Sequence, residues 1–113
     1  MAWVRIDDGF ADHPKLAKLG MLRPVAGWLH IAALCYASRH LTDGYIPTGQ
    51  VPQLVSVSQD LESLVEALVE AGLWHRRNGG YVIHDYLQYN PSKQQVLGVR
   101  KQAAERQARF RNA

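Results

Sequence analysis

The chain has 113 residues and a net charge of +3; 47% of its residues are hydrophobic and 20% are charged, which is ordinary for one globular domain. Cys35 is the single cysteine, so an internal disulfide is excluded and a reducing, cytoplasmic location is expected. The longest apolar stretch, residues 25–37, is too short to span a bilayer, and no apolar run precedes the first charges, so neither a membrane span nor a secretory signal is expected.

The N-terminal segment predicts a strand, a turn and a short helix. Residues 3–6 favour a short strand, and residues 7–9 favour a turn. Pro14 suits the first position of a helix, so we expect a helix from there to Leu19, where Gly20 ends it.

A second, longer helix is predicted from Arg23 to about His40. Its apolar residues cover most of its circumference, so this helix belongs in the middle of the domain. Within it, we expect His30 to be a packed or hydrogen-bonded core residue. We expect Cys35 to be a small buried hydrophobic residue.

The middle of the chain predicts a turn and a short strand over residues 43–47, followed by a short helix over residues 48–55. Pro52 lacks a donor N–H and is best tolerated in a first helical turn, so this helix is expected to begin near Val51. Ser58, in the connection that follows, is predicted to be the N-cap of the next helix.

The helix predicted from Gln59 to Ala71 has two different faces. Apolar residues at i, i+3, i+4, i+7 and i+8 form one stripe, namely Leu61, Leu64, Val65, Leu68 and Val69. The solvent face carries four carboxylates and no Lys or Arg, namely Asp60, Glu62, Glu66 and Glu70. Asp60 and Glu62 lie in the first turn, where the positive end of the helix dipole stabilises negative charge. Glu66 and Glu70 lie further along the helix, where the dipole does not account for them. Gly72 is expected to end the helix.

Residues from about 73 to 87 predict a β-hairpin. The sequence Asn-Gly-Gly at its tip favours a tight turn, and the segments on both sides are rich in aromatic and β-branched residues, which strands prefer. Arg76, Arg77 and Asn78 are candidate DNA contacts, because arginines near a hairpin tip can reach phosphates or a narrow minor groove. The alternative is that the arginines are exposed, solubilising charges.

The C-terminal segment predicts a basic helix, capped by Asn90 and with Pro91 at its first position. Residues 1–90 carry a net charge of −2, whereas residues 91–113 carry +5. A basic terminal segment favours nucleic acid or another polyanion, and a solvated helix that happens to be basic is the alternative. Its cations are spread around the helix and do not gather on one face. We expect them to contact DNA phosphates; they are Lys93, Arg100, Lys101, Arg106, Arg109 and Arg111.

The sequence contains no recognisable catalytic constellation, so neither an enzyme activity nor a cofactor is expected. The glycines of the hairpin turn lack the lysine of a phosphate-binding loop. His75 and His84 are expected to face each other across the hairpin as ordinary strand histidines, since a metal site needs more ligands than this pair supplies.

The order of helix, short strand, helix, turn, helix and hairpin predicts a mainly helical α+β protein with a winged helix-turn-helix. Residues 1–90 would form the winged-helix domain with an N-terminal extension, and residues 91–113 a C-terminal basic helix or arm. In such a fold the second helix of the pair enters the major groove, but here that helix is acidic. The wing and the basic helix are therefore expected to supply most of any affinity for DNA, with little base readout.

Several segments together resemble the winged-helix proteins of actinobacterial phages and prophages, which are similar to the N-terminal domains of phage replication-initiation (replisome organiser) proteins. These segments are residues 3–10, 13–15, 40–47, 71–74, 79–86 and 89–92. The resemblance implies a double-stranded DNA-binding role in phage replication or gene control, in the cytoplasm of a bacterial host cell. The competing hypothesis is a protein-interaction module, in which the acidic face of residues 60–70 docks a host or phage protein or supports a homodimer.

Overall fold

The computed structural model describes residues 3–56 and 60–112, which form helices around a small three-stranded antiparallel sheet. The prediction of a mainly helical α+β protein is confirmed. The helices are α1 (Pro14–Ala17), α2 (Arg23–His40), α3 (Val51–Leu54), α4 (Leu61–Glu70), α5 (Tyr86–Tyr89) and α6 (Lys93–Asn112). The strands are β1 (Tyr45–Pro47), β2 (Trp74–Arg77) and β3 (Gly80–Ile83), and 3-10 turns cover Phe10–Asp12, Gly20–Leu22 and Thr48–Gln50.

The sheet has the strand order β1-β3-β2, so the second strand of the hairpin lies in the centre. Gly79 forms the turn between β2 and β3 with a φ of 80°, which glycine adopts without steric strain. Gly80 pairs with Pro47, and a Cβ atom on Gly80 would lie only 2.2 Å from the carbonyl oxygen of Ile46. The glycine at this position therefore permits the close approach of β1 to β3.

The hydrophobic core lies between α2, α4 and the sheet. Trp74, at the start of β2, is fully buried, and Leu29 of α2 and Leu64 and Leu68 of α4 are fully buried with it. The apolar stripe predicted on α4 faces this core, with Leu61 and Val69 partly exposed at its edges. Burying side chains of this kind contributes about 1.5–3 kcal/mol each, so this stripe positions α4 beside the hairpin.

Gly72 ends α4, as predicted, by adopting a φ of 82°. Its N–H donates to the carbonyl of Val69 over 3.0 Å, and the N–H of Leu73 donates to the carbonyl of Leu68 over 3.0 Å. This is the hydrogen-bond pattern of a Schellman motif, which satisfies the last carbonyls of the helix and turns the chain into β2.

Helix α6 extends away from the rest of the protein. Within its described length it has no buried residue. The radius of gyration is 16.8 Å, and the molecule measures 60 × 30 × 23 Å, whereas a compact chain of this length has a radius of about 13 Å. A helix of 20 residues is about 30 Å long, so the long dimension of the molecule reflects α6.

Two predictions of regular structure differ from the fold. Residues 3–6 form no strand, because the N–H of Arg5 donates to the side chain of Asn90 over 3.2 Å instead of joining a sheet. The hairpin predicted to reach about residue 87 has its second strand end at Ile83, and α5 follows after Asp85 adopts a left-handed conformation with a φ of 58°.

The helix caps also differ from the predictions. Ser58, the predicted N-cap of α4, lies outside the described residues, and Asp60 caps the helix, which begins at Leu61. Ser92 rather than Asn90 caps α6: its hydroxyl accepts the N–H of Gln95 over 3.1 Å, and Gln95 Oε1 accepts the N–H of Ser92 over 2.8 Å. This reciprocal pair is a capping box, whereas Asn90 is buried against Arg5 and Tyr86.

Cys35 is exposed, so the prediction that it is a buried hydrophobic residue is wrong. One side of α2 is buried in the core, and the small residues on that side are Ala26, Ala33 and Ala37. Trp28, which is 60% exposed, lies one heptad from Cys35 on the outer side of the helix. The sequence of α2 is apolar on nearly every side, so the packing alone selects which side is buried.

Candidate nucleic-acid interface

The hairpin tip is exposed and firmly anchored. Arg77 and Asn78 are both exposed to solvent. The hydroxyl of Tyr45 donates to the carbonyl of Asn78 over 3.0 Å, and the N–H and hydroxyl of Thr48 donate to the carbonyl of Gly79 over 3.0 and 3.1 Å. These bonds tie the tip to β1 and the turn after it, so the two exposed side chains project from a defined backbone.

Arg76 forms an ion pair with Glu66 of α4. The hydrogen bond from this guanidinium to the Glu66 carboxylate raises the pKa of Arg76, and the charge of Glu66 acts in the same direction. Both side chains remain about half exposed, so the pair is a surface contact between β2 and α4. Glu66 thus has an intramolecular partner that the sequence did not reveal, and Arg76 is engaged with the protein itself.

Asp60 has a structural role at the start of α4. Its carboxylate accepts the N–H of Glu62 over 3.0 Å and the hydroxyl of Ser63 over 3.1 Å. Two of the four carboxylates on the predicted acidic face, Asp60 and Glu66, are therefore bonded within the fold. Glu62 and Glu70 are exposed.

Helix α6 presents all of its predicted cations to solvent. Arg100 and Arg111 lie about two and about five helical turns after Lys93, so these three share one side of the helix. Arg106 and Arg109 lie on the opposite side by the same spacing. The predicted spread of charge around the helix thus includes one line of three cations, which we call the basic stripe of α6.

The start of α6 is fixed to the body of the protein by two contacts. The backbone N–H of Lys93 donates to Asp43 Oδ1 over 2.7 Å, and the capping box of Ser92 and Gln95 sets the first turn. The capping-box pattern Ser-x-x-Gln is visible in the sequence at Ser92 and Gln95, so the start of α6 could have been predicted from it. The direction in which the basic stripe leaves the body is therefore set by the turn before β1.

His75 and His84 face each other across the hairpin, as predicted. His75 Nε2 lies 2.7 Å from His84 Nδ1, and His84 Nε2 lies 2.9 Å from Asp85 Oδ2. Within the described ranges, no three histidine, cysteine, aspartate or glutamate side chains are grouped closely enough to hold a metal ion. This exposed chain of hydrogen bonds links the two strands at the base of the hairpin.

His30 is a buried, hydrogen-bonded residue, as predicted. It is 6% exposed, and its Nδ1 accepts the indole N–H of Trp74 over 3.0 Å. Phe10 stacks on its ring at a centroid distance of 5.6 Å. Burial lowers the pKa of His30 to about 4, so the imidazole is neutral at neutral pH.

Comparison with protein-family models, with curated proteins and with solved structures finds no match to this chain. In residues 3–56 and 60–112, no helix combines the length and the apolar character that crossing a membrane requires.

Proposed function

We propose that this protein is a winged-helix protein without enzymatic activity that binds double-stranded DNA, mainly through the DNA backbone. The order α2, β1, α3, α4 and hairpin, with β1 paired to the second hairpin strand, supports this assignment because it matches a helix-turn-helix followed by a wing. The resemblance described above favours a role in phage replication or gene control, in the cytoplasm of a bacterial host.

The observation that carries the proposal is the exposure of α6 with its basic stripe. DNA carries about one negative charge per 1.7 Å of axis, and Lys and Arg side chains gain affinity by neutralising phosphates. Lys93, Arg100 and Arg111 lie along a rigid helix of about 30 Å, and Lys101 flanks them. A helix with this charge pattern lies along a DNA backbone without reading bases.

The wing contributes through Arg77 and Asn78, which are exposed on an anchored turn. In this proposal Arg76 has a positioning role: its ion pair with Glu66 holds the wing against α4. The same ion pair reduces the negative charge that α4 presents. Glu62 and Glu70 still disfavour entry of α4 into a groove, so weak base readout is expected.

The test uses fluorescence anisotropy of a labelled DNA duplex, measured over a series of salt concentrations with the full chain. The double variant Arg100→Gln/Arg111→Gln removes two cations of the basic stripe, and Arg106→Gln/Arg109→Gln is the matched control on the opposite side. The slope of log K against log salt should become shallower by about 1.8 for the stripe variant, at about 0.9 per lost phosphate contact, and change little for the control. No binding at low salt would overturn the proposal, and equal losses would contradict contact through one side of α6.

Charge reversal on α4 distinguishes DNA binding from the alternative function in protein interaction. Glu62→Lys/Glu70→Lys leaves the cap at Asp60 and the ion pair of Glu66 in place. A DNA-binding protein should then bind the duplex more tightly, because repulsion from phosphates becomes attraction. Unchanged DNA affinity together with loss of self-association or of a bound partner would instead favour the docking function of the acidic face.

A further inference from the structure

The chain of hydrogen bonds formed by His75, His84 and Asp85 lies on the same face of the wing as Arg77. His75 and Arg77 are two positions apart in β2, so their side chains leave the same face of the sheet, about 7 Å apart along the strand. Both residues line one groove together with His84. A change of charge on the two histidines therefore acts close to a proposed DNA contact.

The carboxylate at one end of the chain determines which nitrogens carry protons. An ionised carboxylate only accepts hydrogen bonds, so His84 Nε2, which lies 2.9 Å from Asp85 Oδ2, is protonated. In the neutral ring His84 Nδ1 is then an acceptor, and His75 Nε2, which lies 2.7 Å from it, is the donor. The neutral ring of His75 consequently has an unprotonated Nδ1.

One further proton can enter this chain without breaking either hydrogen bond. His75 is exposed, so its Nδ1 can take up a proton from water. The proton between the two rings can then lie on His75 Nε2 or on His84 Nδ1, so the two rings share the positive charge. Hydrogen bonds that involve a charged group are stronger than neutral ones, and the Asp85 carboxylate stabilises the added charge.

A second proton is incompatible with the same arrangement. Two cationic rings would place an N–H on His75 Nε2 and an N–H on His84 Nδ1, two donors that face each other over 2.7 Å. The like charges would also repel each other at this distance. While the rings stay in contact, the pair therefore changes its charge by one, in the range of about pH 5 to 8 where histidines take up protons.

The charged residues of the groove favour this added positive charge. The titratable residues that line the groove beside the two histidines are Asp43, Tyr45, Arg77, Asp85 and Tyr86. Two of them are acids and one is a base. The carboxylate of Asp43 accepts a backbone N–H, that of Lys93, so its negative charge has no cationic partner in this hydrogen bond.

We propose that the chain of His75, His84 and Asp85 is a pH sensor of the wing, which strengthens DNA binding when it takes up a single proton. This inference rests on the proposed function, because the added charge attracts phosphates that bind near Arg77. One unit charge about 7 Å from another in water changes an affinity by about threefold.

The effect on DNA binding is measured by fluorescence anisotropy of a labelled duplex at low salt, with the full chain, at about pH 8 and about pH 6. The double variant His75→Gln/His84→Gln retains groups that can form hydrogen bonds but do not titrate. It should lose the roughly threefold gain in affinity at the lower pH. His40→Gln, which removes one exposed histidine outside the groove, should keep this gain. Equal gains in the two variants would overturn the proposal.

Proton uptake is measured separately, without DNA, from the ¹⁵N spectrum of the histidine side chains. At about pH 8 the spectrum should show protons on the Nε2 atoms of His75 and His84, and acidification should add one proton at His75 Nδ1. An unprotonated His84 Nε2 at the higher pH, or the uptake of two protons by rings that remain hydrogen-bonded, would overturn the inference. Because this measurement uses no DNA, its failure is distinct from a failure of the proposed function, which would appear as no DNA binding at either pH.

Asp85→Asn tests the contribution of the carboxylate. Asparagine keeps an oxygen acceptor and tolerates the left-handed backbone at this position, where φ is 58°, but it carries no charge. At about pH 6.5, where histidines are half charged, less of the protonated pair should be present than in the unmodified protein. Asp12→Asn, an exposed acid that does not line the groove, should leave the protonated fraction unchanged. Equal fractions in the two variants would contradict the role of Asp85.

Discussion

Acidification should destabilise this protein through His30, and the size of the effect follows from its burial. The pKa of His30 is lowered from 6.5 to about 4 in the folded protein, whereas the unfolded chain retains the ordinary value. Between these two values the unfolded state binds more protons, so the free energy of unfolding falls as the pH falls. At about 1.36 kcal/mol per pKa unit the total loss is about 3 kcal/mol, a large part of the roughly 5–15 kcal/mol of a typical domain.

The direction of this effect has a clear structural basis. Protonation places a charge in a site that is 6% exposed, and it puts a proton on Nδ1, where the indole of Trp74 donates. The contribution of neutral His30 is fully present above pH 6.5 and is lost progressively as the pH falls to about 4. The ring is stacked on Phe10 and is only 6% exposed, so little water is available to solvate the charged form.

The assay is urea denaturation at a series of pH values, for the unmodified protein and for His30→Gln. Glutamine can still accept the indole hydrogen bond through its carbonyl oxygen, but it does not titrate. The other histidines are common to both proteins, so the difference in the free energy of unfolding isolates His30. This difference should be constant above about pH 6.5 and should change by about 3 kcal/mol between pH 6.5 and pH 4. A difference that does not depend on pH would refute the reasoning.

Two further predictions concern backbone positions and caps. Gly80→Ala places a Cβ atom 2.2 Å from the carbonyl oxygen of Ile46 and should cost about 1–3 kcal/mol in urea denaturation, whereas Gly98→Ala, with open space around it, should stabilise α6 by up to about 1 kcal/mol. A Gly80→Ala protein of unchanged stability would show that β1 and β3 do not approach this closely. Asp60→Ala removes the N-cap of α4 and should lower the melting temperature through a loss of about 1 kcal/mol, and Glu70→Ala should have less than about half of that effect; equal effects would contradict the capping role.

Local sequence signals predicted the elements whose formation depends on nearby residues. The spacing of apolar residues in α4 requires a helix of period 3.6, and Gly72 ends that helix through a conformation that other residues resist. Asn-Gly at positions 78 and 79 likewise specifies the hairpin turn. Where a local signal failed, as at residues 3–6, a distant side chain, that of Asn90, took the backbone N–H that a strand partner would need.

The candidate interface was only partly predictable for the same reason. The cations of α6 and the wing could be identified as exposed because charged side chains are rarely buried without a partner. The sequence gives no sign that Arg76 reaches Glu66, because that contact depends on how α4 packs against β2. The prediction that Arg76 contacts DNA therefore stays a prediction, and the ion pair with Glu66 adds a proposed role in positioning the wing.

The sequence by itself determined the order of helices and strands from α2 to β3, the acidic character of α4 and the basic character of α6, because these depend on composition and periodicity along the chain. Only the tertiary structure decided which side of the apolar helix α2 is buried, with Cys35 left outside and His30 placed against Trp74. Burial and hydrogen bonding between residues that are distant in the chain arise from packing, and packing is a property of the whole fold. The neutral state of His30 is set at that level.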